Sequence, residues 1–228
     1  MKKNVLCVGD TETCNIVATD KVTPGNNLTY NIGFHYMEPA TGKVLAEKSY
    51  IVEEIFFGEA ERMKTAYYAD KIPGYLSGIH SGEYIVKSFF EIMNELVHDC
   101  EKYGVTAIVA HNARFDVDAL NTTARWLTGL NYIRALPQNI EIWDSMKMAR
   151  DIFLPRPSYR KFCEENGYMT KHATPRPRVN AETLYRFISN NLDFEEEHTA
   201  LSDCRIEAEI ILACYRAHKH FEKVLFPA

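Results

Sequence analysis

Apolar positions along the chain fall into short runs, broken stretches and helical stripes. Asn4–Gly9 (Asn-Val-Leu-Cys-Val-Gly) is a brief apolar run that stops at an acid, the pattern of a strand buried on both faces. Leu28–Met37 and Lys43–Val52, rich in Tyr, Ile, Val and Phe, flank Glu38–Gly42, whose Pro and Gly mark a turn. The pair is predicted to be a hairpin. Glu53–Gly82 has no clean period and holds Pro73, Gly74, Gly78 and Gly82, so it reads as an insertion, helical around Ala60–Ala69. Ile85, Val86, Phe89, Phe90, Met93, Leu96 and Val97 then make one helical stripe. Val105–Ala110 is a second buried strand, Asn112–Leu127 a helix and Asn139–Trp143 a further strand. Helices are predicted over Asp144–Phe153, Tyr159–Asn166, Ala181–Asn191 and Thr199–His218. This order predicts an α/β fold, a mixed five-stranded sheet flanked by helices.

The 228 residues, 46% hydrophobic, suffice for one large core, and no Pro/Gly/Ser-rich linker or repeat divides them. One domain over 1–228 is expected, with the 53–82 insertion and a basic loop region at 155–180. Lys2 and Lys3 precede an apolar stretch that Asp10 interrupts too early for a secretory signal, and no apolar run approaches membrane-spanning length. A cytoplasmic protein with no membrane association is expected. Six cysteines without a C-x-x-C pair agree, and Cys7 and Cys214 fall where thiols serve as packing groups. The net charge of -5 conceals an asymmetry. Between Ser145 and Arg186 nine Lys and Arg face four acids, leaving the remainder of the chain at -10. Local surplus, more than total charge, governs attraction to phosphates.

Three clusters carry candidate chemistry. Asp10 and Glu12 are two apart, which on a strand puts both carboxylates on one face, within reach of a common cation pair. Alone, such a tripeptide is more often an ordinary turn. Asp116 lies in the first turns of the helix after Val105–Ala110, with Asn112 four residues earlier on the same face. The free N–H groups of that helix start suit a phosphate. Asn112 also fits a plain N-cap, and Asp118, off that face, reads as surface charge. His198 and Asp203 are five apart, too far to share a helix face. With Thr199 as N-cap, His198 is placed on the entering loop and Asp203 on the helix's inner side. An imidazole on a loop beside such acids suits a general base, and Glu195, Glu196 and Glu197 would favour its protonated form. Acidic oxygens select hard cations such as Mg²⁺ or Mn²⁺, which suit phosphoryl transfer.

Together, Asp10-Thr-Glu-Thr13, His111-Asn-Ala-Arg-Phe-Asp116 and His198-Thr-Ala-Leu-Ser-Asp203 resemble the motifs of the DnaQ-like (DEDDh) 3′→5′ exonuclease family, in order and in matching context. The resemblance runs from Asp10 to about Ala217 and implies a ribonuclease H-like fold. It implies that Asp10, Glu12, Asp116 and Asp203 hold two Mg²⁺ or Mn²⁺ ions per active site, Asp10 bridging both and Asp116 acting directly or through water. His198 is implied as the base, and Thr13, Asn112 and Phe115 as the lining of a terminal-nucleotide pocket. Many relatives carry Thr-Gly-Leu after D-x-E. Here Thr13 is followed by Cys14-Asn15-Ile16-Val17, leaving Ile16, Val17 or nothing as the apolar wedge. The insertion at 53–82 is also longer than in compact members.

The expected activity is removal of nucleoside 5′-monophosphates from 3′ ends of single-stranded DNA or RNA. The basic stretch containing Arg156, Arg160, Lys171, Arg176 and Arg178 would guide the strand, with Tyr159 stacking on a base. Two other readings are a proofreading subunit of a DNA polymerase and a non-catalytic nucleic-acid-binding module of the same fold. Retention of all five catalytic groups disfavours the second.

Overall fold

The computed structural model describes residues 4–16, 25–64 and 66–226. Strand β1 (Val5–Asn15) pairs antiparallel with β2 (Asn27–Glu38), and β2 with β3 (Lys43–Val52), so the predicted hairpin forms. The 53–82 segment holds three helices, α1 (Glu53–Phe56), α2 (Ala60–Met63) and α3 (Ile72–Ser81), with a 3-10 turn at Ala69–Lys71. Its longest helix therefore starts after the span expected to be helical. Next come β4 (Ile85–Lys87), α4 (Phe89–Tyr103), β5 (Val105–Ala110), α5 (Arg114–Thr128) and β6 (Glu141–Asp144). Four helices complete the chain: α6 (Ser145–Phe153), α7 (Pro157–Glu165), α8 (Ala181–Ser189) and α9 (Ala200–Arg216).

The sheet has six strands in the order β4-β3-β2-β1-β5-β6, not five. The additional strand is Ile85–Lys87, parallel to Tyr50–Val52 of β3. Ile85 and Val86 match the spacing of the stripe that follows, but the helix begins only at Phe89. There Ser88 accepts from the Glu91 amide and the Glu91 carboxylate accepts from the Ser88 amide, a capping box that closes off the preceding residues.

The pleat of β1 divides the interior. Cys7 and Cys14 face a core shared with β2, β3, α1, α3 and α4. Leu6 and Val8 face the opposite core, built from α6, α7, α8 and α9. Asp10 and Glu12 continue the Leu6–Val8 parity, so the second layer brings α9 to them. Helix α9 is sandwiched, with Ile206, Ala208, Ile210, Ile211, Leu212 and Cys214 all buried, each aliphatic Ile or Leu contributing about 1.5–3 kcal/mol. All six cysteines are buried and unbridged, as expected of packing thiols.

Two residues of β2 set where α9 begins. Gly33 is paired with Asp10, and a Cβ there would overlap the backbone of Ala200 and Leu201. The absence of a side chain lets the start of α9 lie directly on the sheet. Asn31, paired with Glu12 and fully buried, accepts from the Ala200 amide (2.9 Å) and from the Tyr75 hydroxyl (3.2 Å) through Oδ1. Its Nδ2 donates to the Tyr50 carbonyl at 2.8 Å. One side chain thus fixes both α9 and the 53–82 segment against the acidic end of β1.

Candidate active site

Asp10 and Glu12 project from the last half of β1, where a register shift between Glu12 and Thr13 ends the regular pairing. Thr199 caps α9 with its partner Ser202, as its sequence position implied, and orients Asp203 inward from the first turn. The carboxylate oxygens of Asp10, Glu12 and Asp203 offer three ligand atoms within 4.8 Å of one another. Asp116 enters from α5 on the other side of β1, where its Oδ1 accepts from the Thr11 hydroxyl at 2.8 Å. It adjoins Asp10 without joining that trio, a geometry compatible with either direct or water-mediated ligation.

The cluster holds more negative charge than its surroundings offset. Burial, then Asp116, Glu207, Asp203 and Glu12, push the Asp10 carboxyl well up from the carboxylate range. Burial and Asp203 raise Glu12 to about 9 against the pull of Lys71. Burial raises Asp116 to about 7, although Thr11 opposes it, and Asp203 to about 6, opposed by Ser202 and Lys71. The donors are all hard oxygens. A divalent cation fits this set, because it would supply the positive charge whose lack raises every member.

Glu207 is a fifth carboxylate that the sequence reading left out. It lies one turn beyond Asp203 on α9 and is 3% exposed. It accepts from the His111 backbone amide, while its Oε2 has no partner among the described residues. Burial, then Asp116 and Asp203, push its carboxyl well up. The signal was present as an acid at i+4 from Asp203, set between the apolar Ile206 and Ala208.

The β5–α5 junction is held from three sides. Asn112 sits in the left-handed region (φ 66°), ahead of the helix, which begins at Arg114. This corrects the expectation that Asn112 shares a helix face with Asp116 or caps the helix. Its amide instead donates to Asp144 Oδ1 at 3.0 Å, and its side chain is exposed. His111 bridges Ser145 Oγ (2.9 Å) and the Val179 carbonyl (2.6 Å), so the junction is tied to the base of the basic loop. Burial lowers the His111 pKa, and its neutral ring satisfies both contacts by donating from Nε2 and accepting at Nδ1. Phe115 and Thr13 are half-buried near the junction and the register shift. Ile16 is half-buried, its carbonyl held by Arg62, and Val17 lies outside the described residues.

His198 lies on the loop entering α9, in a left-handed conformation (φ 50°), with its ring stacked on Tyr68 at 4.4 Å and 16°. Its Nδ1 is 3.6 Å from Glu196 Oε2. The expectation that the three glutamates favour the protonated ring is corrected. Burial, then Lys71, lower the His198 pKa, and only Glu182 opposes them. Glu196 itself is raised to about 7 by burial and by Asp203, so it is a weak counter-charge.

The basic stretch is also partly reassigned. Tyr159 is fully buried, its hydroxyl donating to the Arg178 carbonyl at 2.5 Å, so it packs the core and offers no base-stacking face. Arg160, Lys161 and Arg186 are engaged by Glu164, Glu165 and Glu182. Arg156 stacks on Phe153. Around the Met169–Pro177 bridge, the exposed Lys171, Arg176 and Arg178 make no ion pair among the described residues.

This architecture is the ribonuclease H-like fold of DEDDh exonuclease domains. The nuclease domain of 3'hExo, a DEDDh family member, bound to rAMP, aligns with a TM-score of 0.60 and 10% identity over 97% of this chain and 96% of that one. Cell-death related nuclease 4 (CRN-4) aligns with a TM-score of 0.55 and 11% identity, over 96% of this chain and 66% of that one. E. coli exonuclease I, in the zinc-bound complex with single-stranded DNA, gives 0.54 and 14%, over 93% of this chain and 40% of that enzyme. No protein-family model and no curated protein matches the sequence. No helix of the described residues is long and apolar enough to cross a membrane.

Proposed function

We propose that the chain is a metal-dependent 3′→5′ exonuclease that releases nucleoside 5′-monophosphates from single-stranded nucleic acid. The observation that carries this reading is the convergence of Asp10, Glu12 and Asp203 within 4.8 Å, with Asp116 beside them and His198 on the adjoining loop. The likeness to the fold of a domain bound to rAMP and of an enzyme complexed with single-stranded DNA supports the substrate class.

Asp10, Glu12 and Asp203 would hold Mg²⁺ or Mn²⁺, two ions with Asp116 completing the set. When bound, the cations supply positive charge to the scissile phosphodiester and to its attacking and leaving oxygens. The protein's own part is positioning and proton transfer. Burial, then Lys71, disfavour the protonated His198 ring, as a proton acceptor requires. With Nδ1 turned toward Glu196, Nε2 is the acceptor for the proton of the attacking water, and a positioned acceptor contributes about 10²–10⁴-fold. Thr13, Phe115 and Asn112 would surround the terminal nucleotide, and Arg176 and Arg178 would contact backbone phosphates further along the strand.

The test is purified protein with Mg²⁺ on 5′-labelled single-stranded DNA and RNA of one sequence. A descending ladder that requires the metal is expected on at least one of them. Binding without shortening, with either Mg²⁺ or Mn²⁺, would reduce the chain to a nucleic-acid-binding module.

A further inference from the structure

The 53–82 segment reaches the site through two residues that no motif predicted. Tyr68 is half-buried and lays its ring on the His198 imidazole at a 4.4 Å centroid separation and a 16° interplanar angle. Three residues on, Lys71 donates from Nζ to the Glu197 carbonyl, the residue preceding His198, and its ammonium lies 5.7 Å from the Tyr68 ring centroid. Lys71 also stands near enough to Glu12 and Asp203 to pull both carboxyls down against the rest of the cluster.

These contacts rest on an anchored base. Tyr75 is buried against Tyr30 and Phe56, and its hydroxyl donates to Asn31, the residue that also holds the first amide of α9. Segment and α9 are therefore referenced to one point of β2. His198 needs such support. A non-glycine residue at φ 50° is held in a sparsely populated backbone conformation, which persists only where its surroundings over-determine it. Its ring has no hydrogen bond to protein among the described residues, the Glu196 approach at 3.6 Å being too long for one. The stack and the Lys71 tether supply the missing constraint.

We propose that Tyr68 and Lys71 form a clamp on the His198 loop, acting as positioning residues that hold the imidazole at the mouth of the acidic cluster. This rests on the nuclease reading above and adds the 53–82 segment to the machinery. A misplacement of about 1 Å can lower turnover by about 10²-fold, so an unclamped base should lose much of its effect while substrate binding persists.

The experiment combines kinetics with histidine-selective NMR on the full chain, comparing parent, Tyr68→Ala, Tyr68→Phe, Lys71→Met, His198→Ala and the Tyr68→Ala/His198→Ala double variant. A ring stacked face to face shifts the His198 carbon-bound protons upfield, and His198→Ala identifies those signals. Tyr68→Ala should abolish the upfield shift and lower kcat by about 10–100-fold, with KM changed less than about threefold. Tyr68→Phe should restore the shift and recover most of the loss. Lys71→Met should broaden or split the His198 signals and lower kcat by a smaller factor. Once His198 is absent, Tyr68→Ala should cost nothing further, because residues acting through one group are non-additive. Additive losses, or parental kcat in Tyr68→Ala, would overturn the clamp. His198 signals indifferent to Tyr68→Ala would overturn it without reference to activity. An inactive parent with an intact upfield shift would instead remove the nuclease reading, and the clamp's catalytic role with it.

Discussion

Without metal, the protein should lose stability steadily as pH rises through neutrality, and Glu207 should be one of the causes. Asp10, Glu12, Asp116, Asp203 and Glu207 are all raised in the folded state, Asp203 to about 6, Asp116 to about 7 and Glu12 to about 9, with burial the largest cause for each. In the unfolded chain they release their protons near pH 4. The folded metal-free protein therefore holds more protons than the unfolded chain above about pH 4, and stability falls as pH rises through the range in which the folded carboxyls ionise, Asp203 first, then Asp116 and Glu12. Each retained proton tilts stability by about 1.4 kcal/mol per pH unit. A cluster this close shares its protons, so one or two retained protons is the working number. That gives about 1.4–2.7 kcal/mol per unit, or roughly 3–10 °C per unit for a chain of this size.

Glu207→Gln keeps an acceptor for the His111 amide while removing one ionisable member, and it puts an amide N–H where Oε2 has no partner. In chelator, the variant should differ least from the parent near pH 5, melt clearly higher near pH 8, and show a slope shallower by up to one proton. Saturating Mn²⁺ should raise the parent's Tm most at high pH, since binding requires deprotonated ligands. Scanning calorimetry from about pH 5 to about pH 9, with chelator and with Mn²⁺, checks all of this. A flat parental curve in chelator, or a Glu207→Gln protein no more stable than the parent near pH 8, would refute the reasoning.

Three further outcomes follow. His198→Ala should lower turnover by about 10²–10⁴-fold with calorimetric Mn²⁺ affinity nearly unchanged, and lost affinity would make the histidine a ligand. Gly33→Ala forces a methyl into the Ala200 backbone, so it should destabilise by about 1–3 kcal/mol or more and depress turnover by displacing Asp203; parental Tm and kcat would show that α9 is not seated as described. Replacing Arg176 and Arg178 by Ala should flatten the dependence of log affinity on log salt by about 1.4 for long single strands, at about 0.7 per phosphate contact. Turnover of a saturating dinucleotide should barely respond, and an unchanged slope would make both arginines ordinary surface.

The parts legible in the sequence are those in which local pattern and final environment agree. The first half of β1, which runs on past Asp10 to Asn15, the hairpin around Glu38–Gly42 and the Thr199 cap each carry their own signal within a few residues. Ile85 and Val86 misled because a three-residue edge strand is too short to display its period. The Ser88–Glu91 capping box gave the true helix start. Asn31 and Gly33 interrupt an apolar run without any local signal of purpose, yet they are the residues that seat α9, a role created by a helix distant in sequence. Tyr159 and Asn112 were misjudged for the converse reason. Each has side-chain chemistry suited to nucleic acid, but burial of one and the left-handed turn at the other are tertiary facts. Tyr68 and Lys71 lie in a segment without periodicity, and only the folded chain brings them to His198.

The most direct test of the central claim is the chemistry of the product in oxygen-18 water, with single-stranded substrate, Mg²⁺ and either the parent or Asp10→Asn. The account predicts nucleoside 5′-monophosphates bearing one heavy oxygen on phosphorus, released from the 3′ end by the parent and at background level by Asp10→Asn. Nucleoside 3′-monophosphates, internal fragments, or the same labelled product from Asp10→Asn at the parental rate would contradict it.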